Sequence, residues 1–583
     1  MHDEIKTSRG LTRRTALTAA LAGGASACTT PRRMTPFTAL DASDYGAFQH
    51  GVASGDPGPR SLVLWTRVTP AQSGAAGVIE AEWEIARDAN FTDVAKKGVA
   101  LTGPSRDWTV KVLVDDLTPG AQYFYRFRSG DAVSPTGKTR TLPQGALDAA
   151  RFAVVSCANY AFGFFNAYDQ IARREDFDAV IHLGDYLYEY GQDKYGGDVG
   201  ARIGRNHAPA HETISLTDYR QRHAQYKTDP SCQAMHAAHP MIAIWDDHET
   251  SNNSWKDGAE NHQKETEGDW NARRRAALQA YYEWMPVRDP APGRPAEGLF
   301  RAYAYGDLLT LTALETRLMA RSRQFEYSEV VPTLKTQADI DAFRDRVLWD
   351  ESREMLGQAQ RDYMETTLRK ASGANHPWRL IANQIIMTEV IAPDLTPHVS
   401  EEDILELEKD WDQARPFVEF SALGLPVNLD AWDGYPAARE RFYQLLQETK
   451  SEGVIVVTGD THTWWANDLS NRAGDAMGVE LGVASVTSPS PYRPEFLGGK
   501  GAEYALLTNR DNKAVRYLSG ESHGYIDLAV GRETAEARYM AVDTIESRAY
   551  NAYEQAAFTI AKKDGTAAFK DADGLGFKEG FLF

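Results

Sequence analysis

Val454-Ile455-Val456-Val457-Thr458-Gly459-Asp460-Thr461-His462 is an unbroken β-branched run, then a glycine, then a carboxylate and an imidazole two residues apart. A run this short and this apolar is the pattern of a strand buried on both faces, as parallel sheets covered by helices require. The same pattern recurs three times upstream. Phe152-Ala153-Val154-Val155-Ser156 ends at Cys157, with Asn159 two residues on. Ala179-Val180-Ile181-His182-Leu183-Gly184 ends at Asp185, with Tyr188 three residues on, and Met241-Ile242-Ala243-Ile244-Trp245 ends at Asp246-Asp247-His248-Glu249. Helix-like charged segments lie between such runs, at Tyr168–Glu175, Asp269–Trp284, Gln358–Ala371 and Ala437–Lys450. The alternation predicts an α/β domain over residues 150–570.

In open α/β sheets, functional groups gather where the carboxyl ends of strands meet. Cys157, Asp185, Tyr188, Asp247, His248, Asp460 and His462 would therefore share one edge. Anionic groups so placed repel unless cations neutralise them. Carboxylates suit hard cations, whereas thiolate, phenolate and imidazole suit a transition metal, so the mixture predicts a heterogeneous metal site. Each residue has a bland reading when taken alone. Cys157 reads equally as an inert buried thiol, Tyr188 as packing within Tyr186–Tyr190, and Asp247-His248 as a surface pair. Recurrence of one pattern four times in order outweighs those readings. Other histidines claim less: His182 reads as a core residue, His207, His211 and His223 as exposed loop histidines without a role, and His523 is undecided.

Residues 45–145 show short strand-like runs with turn signals, such as the β-branched Ser61–Val68, the alternating Ala81–Ala86, Thr109–Val114 and the aromatic-rich Gln122–Phe127, and predict a small all-β sandwich domain. Gln192–Thr213 and Asp289–Gly298 read as long loops, and 571–583 as a tail. Residues 1–30 carry Arg13-Arg14, an Ala/Leu stretch and Ala25-Ser26-Ala27-Cys28, the layout of a twin-arginine export signal. Simple cleavage and lipid attachment at Cys28 both stay open. The expectation is a periplasmic or secreted protein, partnered by twin-arginine export machinery, with membrane contact only through such a lipid. A net charge of −19 argues against nucleic acid as a partner. Cys157 and Cys232 read either as one disulfide or as two thiols.

Ser156–Asn159, Gly184–Tyr188, Trp245–Glu249 and Gly459–His462, together with His50–Pro57, Leu64–Arg67 and Trp432–Pro436, resemble the signature of PhoD-type alkaline phosphatases, a branch of the calcineurin-like metallophosphoesterases. The resemblance implies a four-layer αββα catalytic domain after the small all-β sandwich domain. It implies a site with Fe3+ and Ca2+, two or more ions in all. By the matching motifs, Cys157, Tyr188 and His462 would bind iron, Asp185 would bridge iron and calcium, and Asp247 and Asp460 would hold calcium. Asn252 would add a carbonyl oxygen, and His248 would face the phosphate or leaving group. The sequence departs from the family at Glu315-Thr316-Arg317, which makes Arg317 the first candidate for the phosphate-contacting arginine and Arg321 the next. The implied substrate is a small-molecule phosphate ester, hydrolysed directly by water activated at the cations, without a phospho-enzyme. Two alternatives remain: a phosphodiesterase or phospholipase D-like enzyme on the same fold, and a non-catalytic exported metal- or phosphate-binding protein.

Overall fold

The computed structural model describes residues 48–570 except 71–76, 410–412 and 495–498. The export segment with Cys28 and the tail from 571 lie outside the described residues. Two sheets face each other. One has ten strands in the order Thr566–Phe569, Ala552–Lys563, Thr534–Val542, His523–Gly531, Ala149–Val155, Ala179–His182, Pro240–Ala243, Val52–Gly55, Leu62–Arg67 and Thr109–Val114. The other has seven, in the order Arg301–Tyr305, Leu309–Ala313, Trp378–Ala382, Val454–Thr458, Ala476–Gly482, Trp464–Ser470 and Val515–Ser519.

The strands at the centre of both sheets are parallel, so helices must cover their outer faces. Phe152, Val154, Ile181 and Leu528 of the ten-stranded sheet pack between the sheets against Leu311, Leu380, Ile455 and Leu481 of the other. Outside the ten-stranded sheet, Tyr168, Met235 and Tyr281, from the helices Asn166–Ala172, Pro230–Ala238 and Trp270–Trp284, cover Ala153, Val180 and Met241. Outside the seven-stranded sheet, Met364, Leu368, Phe442 and Leu446, from Gly357–Gly373 and Pro436–Glu448, cover Ile381 and Val456. The result is the four-layer αββα order that the family resemblance implied.

The N-terminal strands form a two-walled all-β region, and one of its walls is not separate. Val52–Gly55 pairs in parallel with Pro240–Ala243, so Val52–Gly55, Leu62–Arg67 and Thr109–Val114 extend the ten-stranded sheet. The other wall is a five-stranded sheet built on Val94–Thr102, Ile79–Ala86 and Gln122–Ser129. Leu62, Leu64 and Val110 meet Ile79, Ile85, Tyr123 and Phe127 between the walls. The sequence indicated Leu62–Arg67, Ile79–Ala86, Thr109–Val114 and Gln122–Ser129 but neither Val52–Gly55 nor Val94–Thr102, and pairing between distant strands has no local signal.

Two local expectations are corrected, and one open alternative is decided. The Gln192–Thr213 loop contains the helix Gly197–Ile203. His207 and His223 are buried at 3% and 1% exposure rather than exposed, and only His211 is at the surface, beside Asp218. Cys157 and Cys232 are separate buried thiols.

A buried cation lies under the Asp185 loop. Lys227 is 1% exposed, with Nζ 3.1 Å from His236 Nε2 and above the Trp65 and Tyr186 rings, and among the described residues no carboxylate pairs with it. Burial lowers its pKa from 10.5 to about 8. Between those values the unfolded chain holds more protons than the native one, so this group makes stability rise with pH across that window. Lys227→Met should therefore raise stability at pH 7 by about 2–3 kcal/mol and by much less near pH 10.5, measured by denaturant unfolding. A variant destabilised equally at both pH values would contradict this.

Candidate active site

Three of the ligand-bearing strands, Ala149–Val155, Ala179–His182 and Pro240–Ala243, are parallel neighbours, so their carboxyl ends align. The fourth, Val454–Thr458, belongs to the facing sheet. Close backbone approach joins the two edges. A Cβ on Gly459 would sit 2.6 Å from Ser156 Oγ, and one on Gly184, at φ +106°, would sit 2.4 Å from the Asp246 nitrogen. Only glycine fits at either position. Four of the expected ligands then take left-handed backbone: Cys157 (φ 60°), Asp185 (52°), Asp460 (62°) and His462 (55°). Such conformations cost about 1–3 kcal/mol each and persist only where the surroundings impose them.

At Asp185 the surroundings are hydrogen bonds to one buried carboxylate. Glu249 accepts from the backbone nitrogens of Asp185 (3.0 Å), Tyr186 (2.6 Å) and Asp246 (2.8 Å), which fixes two strand ends to each other.

The side chains gather in overlapping groups. Cys157, Asp185 and His462 have ligand atoms within 4.8 Å of one another, and so do Asp185, Asp247 and His248, and Asp246, Asp247 and Asp460. Asp185 belongs to two of these groups. Tyr188 joins the first: its hydroxyl is 3.2 Å from Asp185 Oδ2 and 3.1 Å from His462 Nε2, and it accepts from Ser488. His462 places Nδ1 3.0 Å from the Pro489 carbonyl, which leaves Nε2 for the cluster.

The electrostatics are those of crowded anions with too few cations. Burial, then the charge on Asp185, pushes the Cys157 thiol well above its usual range. Burial, reinforced by Asp247 and Asp246 against the pull of His248, pushes Asp185 well above the ordinary carboxylate range. Asp460 rises to about 6 through burial, although Arg317 opposes the shift. Burial lowers His462 to about 3, so its ring is neutral and able to ligate. Oδ2 of Asp246 is buried without a hydrogen-bond partner among the described residues. Protons or cations must complete such a site, and its mixed sulfur, phenol, imidazole and carboxylate donors suit two kinds of metal.

The structure brings Cys157, Asp185, Tyr188, Asp247, His248, Asp460 and His462 together. Asn252 and Arg317 have partners that the sequence did not indicate. The Asn252 carbonyl accepts from the Asn261 nitrogen at 3.3 Å and its amide donates to Glu260, while Asn253 is the residue whose backbone reaches Asp247, at 2.6 Å. Arg317 is fully buried and commits its guanidinium to carboxylates: Nε to Asp246, Nη1 to Asp430 at 2.7 Å and Nη2 to Asp460 at 3.0 Å. Arg321 also ends on Asp430. Glu315 accepts from Trp245 Nε1 and from the backbone of residues 317–319, and so shapes the Arg317 turn.

Sequence reasoning missed several participants. Asp246, Glu189 and Glu249 stood inside the quoted motifs, but nothing separated them from their neighbours. Asp430, Glu260 and Glu326 had no motif at all. Glu260 is pushed up to about 7 by burial and Glu326, and Gln413 donates to both carboxylates. Gln324, 3% exposed, donates to Glu326 and the Asn253 carbonyl while its Oε1 has no partner.

Comparison with known proteins gives the family. A family model described as PhoD-like phosphatase matches residues 152–539, and its companion, PhoD-like phosphatase, N-terminal domain, matches 36–143. Alkaline phosphatase D of Bacillus subtilis (strain 168) is 33% identical over 542 residues, covering 90% of this chain and 82% of that protein. A solved structure titled Structure of PhoD superposes with a TM-score of 0.73 at 30% identity, covering 90% of this chain and 92% of that one. The chain belongs to the PhoD-like phosphatase family.

Proposed function

We propose that the chain is a metal-dependent phosphoric ester hydrolase that acts on small-molecule phosphate monoesters and diesters after export. The observation that carries this reading is the pair of ligand groups sharing Asp185, beside the unpartnered Oδ2 of Asp246. Cys157, Tyr188 and His462 would hold Fe3+, with Asp185 shared between iron and calcium. Asp247 and Asp460 would hold Ca2+, and Asp246 adds a further carboxylate that the motifs did not single out. Bound there, the cations would neutralise phosphate oxygens and make water acidic enough to be deprotonated near neutral pH.

The chain's own residues supply position. Glu249 fixes the Asp185 and Asp246 loops, and Ser488 and Pro489 orient Tyr188 and His462. His248 is held by its backbone nitrogen on Asp247 and by Nδ1 on Glu189, so the face of its ring lies against Tyr188 at 4.1 Å. Arg317 offsets the charge of Asp246, Asp430 and Asp460, and it would act through them rather than on the phosphate. Segment 1–30 supports export through the twin-arginine machinery to the periplasm or beyond, with Cys28 as the one point where a lipid would attach.

Two outcomes follow. Removing one partner of a buried charge cluster typically costs about 3–5 kcal/mol. Arg317→Met should lose stability of that order in chelator, and calcium should restore more of the melting temperature in the variant than in the wild type. An equal loss in chelator and in calcium would show that Arg317 and the cations do not share a charge cluster. Hydrolysis of 4-nitrophenyl phosphate and its bis ester should vanish on chelation and return with calcium. The ratio of the two rates then separates a phosphatase from a diesterase, and activity indifferent to chelator and calcium would contradict the proposed metal site.

A further inference from the structure

Three half-buried aromatic rings border the ligand cluster, on segments that leave the ligand-bearing strand ends. Phe162 follows Cys157 and Asn159 in the chain, and Tyr190 follows Tyr188. Tyr195 comes next, in the turn before the helix Gly197–Ile203. Backbone hydrogen bonds close that turn: the Lys194 nitrogen donates to the Gly191 carbonyl at 3.3 Å, and the Gly197 nitrogen to the Lys194 carbonyl at 2.7 Å. Gly196, at φ +87°, lets the turn settle onto Phe162, because a Cβ there would lie 3.0 Å from that ring.

The Tyr195 ring centre is then 4.7 Å from Phe162 and 5.6 Å from Tyr190, both edge-on. Toward the cluster, Tyr195 lies 6.2 Å from Tyr188, and Tyr190 lies 5.5 Å from His248. Tyr188 and His248 are buried, whereas Phe162, Tyr190 and Tyr195 keep part of their surface exposed. Neither the Tyr190 nor the Tyr195 hydroxyl has a hydrogen-bond partner among the described residues, and neither is sealed from solvent. The three rings are therefore the half-open layer between the buried cluster and water.

We propose that Phe162, Tyr190 and Tyr195 form a binding wall for an aromatic group of the phosphate ester, so that aryl and heteroaryl esters are bound in preference to alkyl ones. The proposal rests on the hydrolase reading and names the class of ester that the site takes. The cations of that reading would hold the phosphate of any ester, while only an aromatic substituent gains ring contacts beyond its buried area. A surface that was merely apolar would favour a cyclohexyl group over a phenyl group, since the cyclohexyl group has the larger apolar area.

The test is competitive inhibition of 4-nitrophenyl phosphate hydrolysis by methylphosphonate, cyclohexylphosphonate and phenylphosphonate, at a pH where all three are dianions. Their carbon–phosphorus bonds are not hydrolysed, so leaving-group reactivity plays no part. In the wild type, phenylphosphonate should bind about 3–10-fold more tightly than cyclohexylphosphonate. Tyr195→Leu should abolish that preference, and Tyr195→Phe, which keeps the ring, should retain it. Misfolding or metal loss would weaken all three inhibitors by one factor and leave their ratios unchanged. An unchanged phenyl-to-cyclohexyl ratio in Tyr195→Leu overturns the wall. So does a wild type that binds the two equally, a result that needs no folded variant. A wild type that does not hydrolyse the nitrophenyl ester removes the hydrolase reading along with the proposal. Hydrolysis without the phenyl preference removes the wall alone.

Discussion

Carboxylates buried side by side repel one another, and the ends of these strands are arranged so that they stay together nonetheless. Asp185, Asp246, Asp247 and Asp460 converge from two sheets, and Arg317 is the guanidinium placed among them. Water cannot screen them at this depth, so each charge must be met by a proton, an arginine or a metal ion. The upward shifts of Asp185 and Asp460 and the unpartnered Oδ2 of Asp246 are consequences of that shortage. Left-handed backbone at Cys157, Asp185, Asp460 and His462 adds strain at the same positions. Glu249, the glycines before Asp185 and Asp460, and the covered αββα core hold this arrangement in place.

Much of this was legible in the sequence because it is local. An apolar run of five residues ending in a ligand predicts a buried strand and the edge on which its ligand lies. The helices Trp270–Trp284, Gly357–Gly373 and Pro436–Glu448 fall within two residues of their charged periodic segments. What was not legible depends on pairing across long stretches of chain. The parallel register of Ser54 with Pro240 makes the N-terminal strands part of the catalytic sheet, and no local pattern specifies that. The family resemblance made Arg317 the first candidate to face phosphate. Its actual partners include Asp430, 113 residues away, in a segment without any motif. His207 and His223 read as exposed because their surroundings are polar in sequence, yet the helix Leu216–Lys227 and its neighbours bury them.

The family relationship and the geometry support each other at different levels. Similarity over 90% of the chain to a structure of PhoD accounts for the layers and their order. The distances around Asp185, Tyr188 and His462 belong to this chain, and they explain why a cysteine, a tyrosine and a histidine are placed with carboxylates that would otherwise only repel. Lys227 remains outside this logic: it is buried beside Tyr186, next in sequence to Asp185, without an acidic partner among the described residues.

The central claim is that Asp185 is shared by two metal-binding groups. It is tested most directly by elemental analysis of the purified protein and of Asp185→Asn. The account predicts iron and calcium in the wild type and the loss of both in the variant, because one residue serves both groups. Full retention of both metals in Asp185→Asn, with hydrolysis near the wild-type rate, would contradict it.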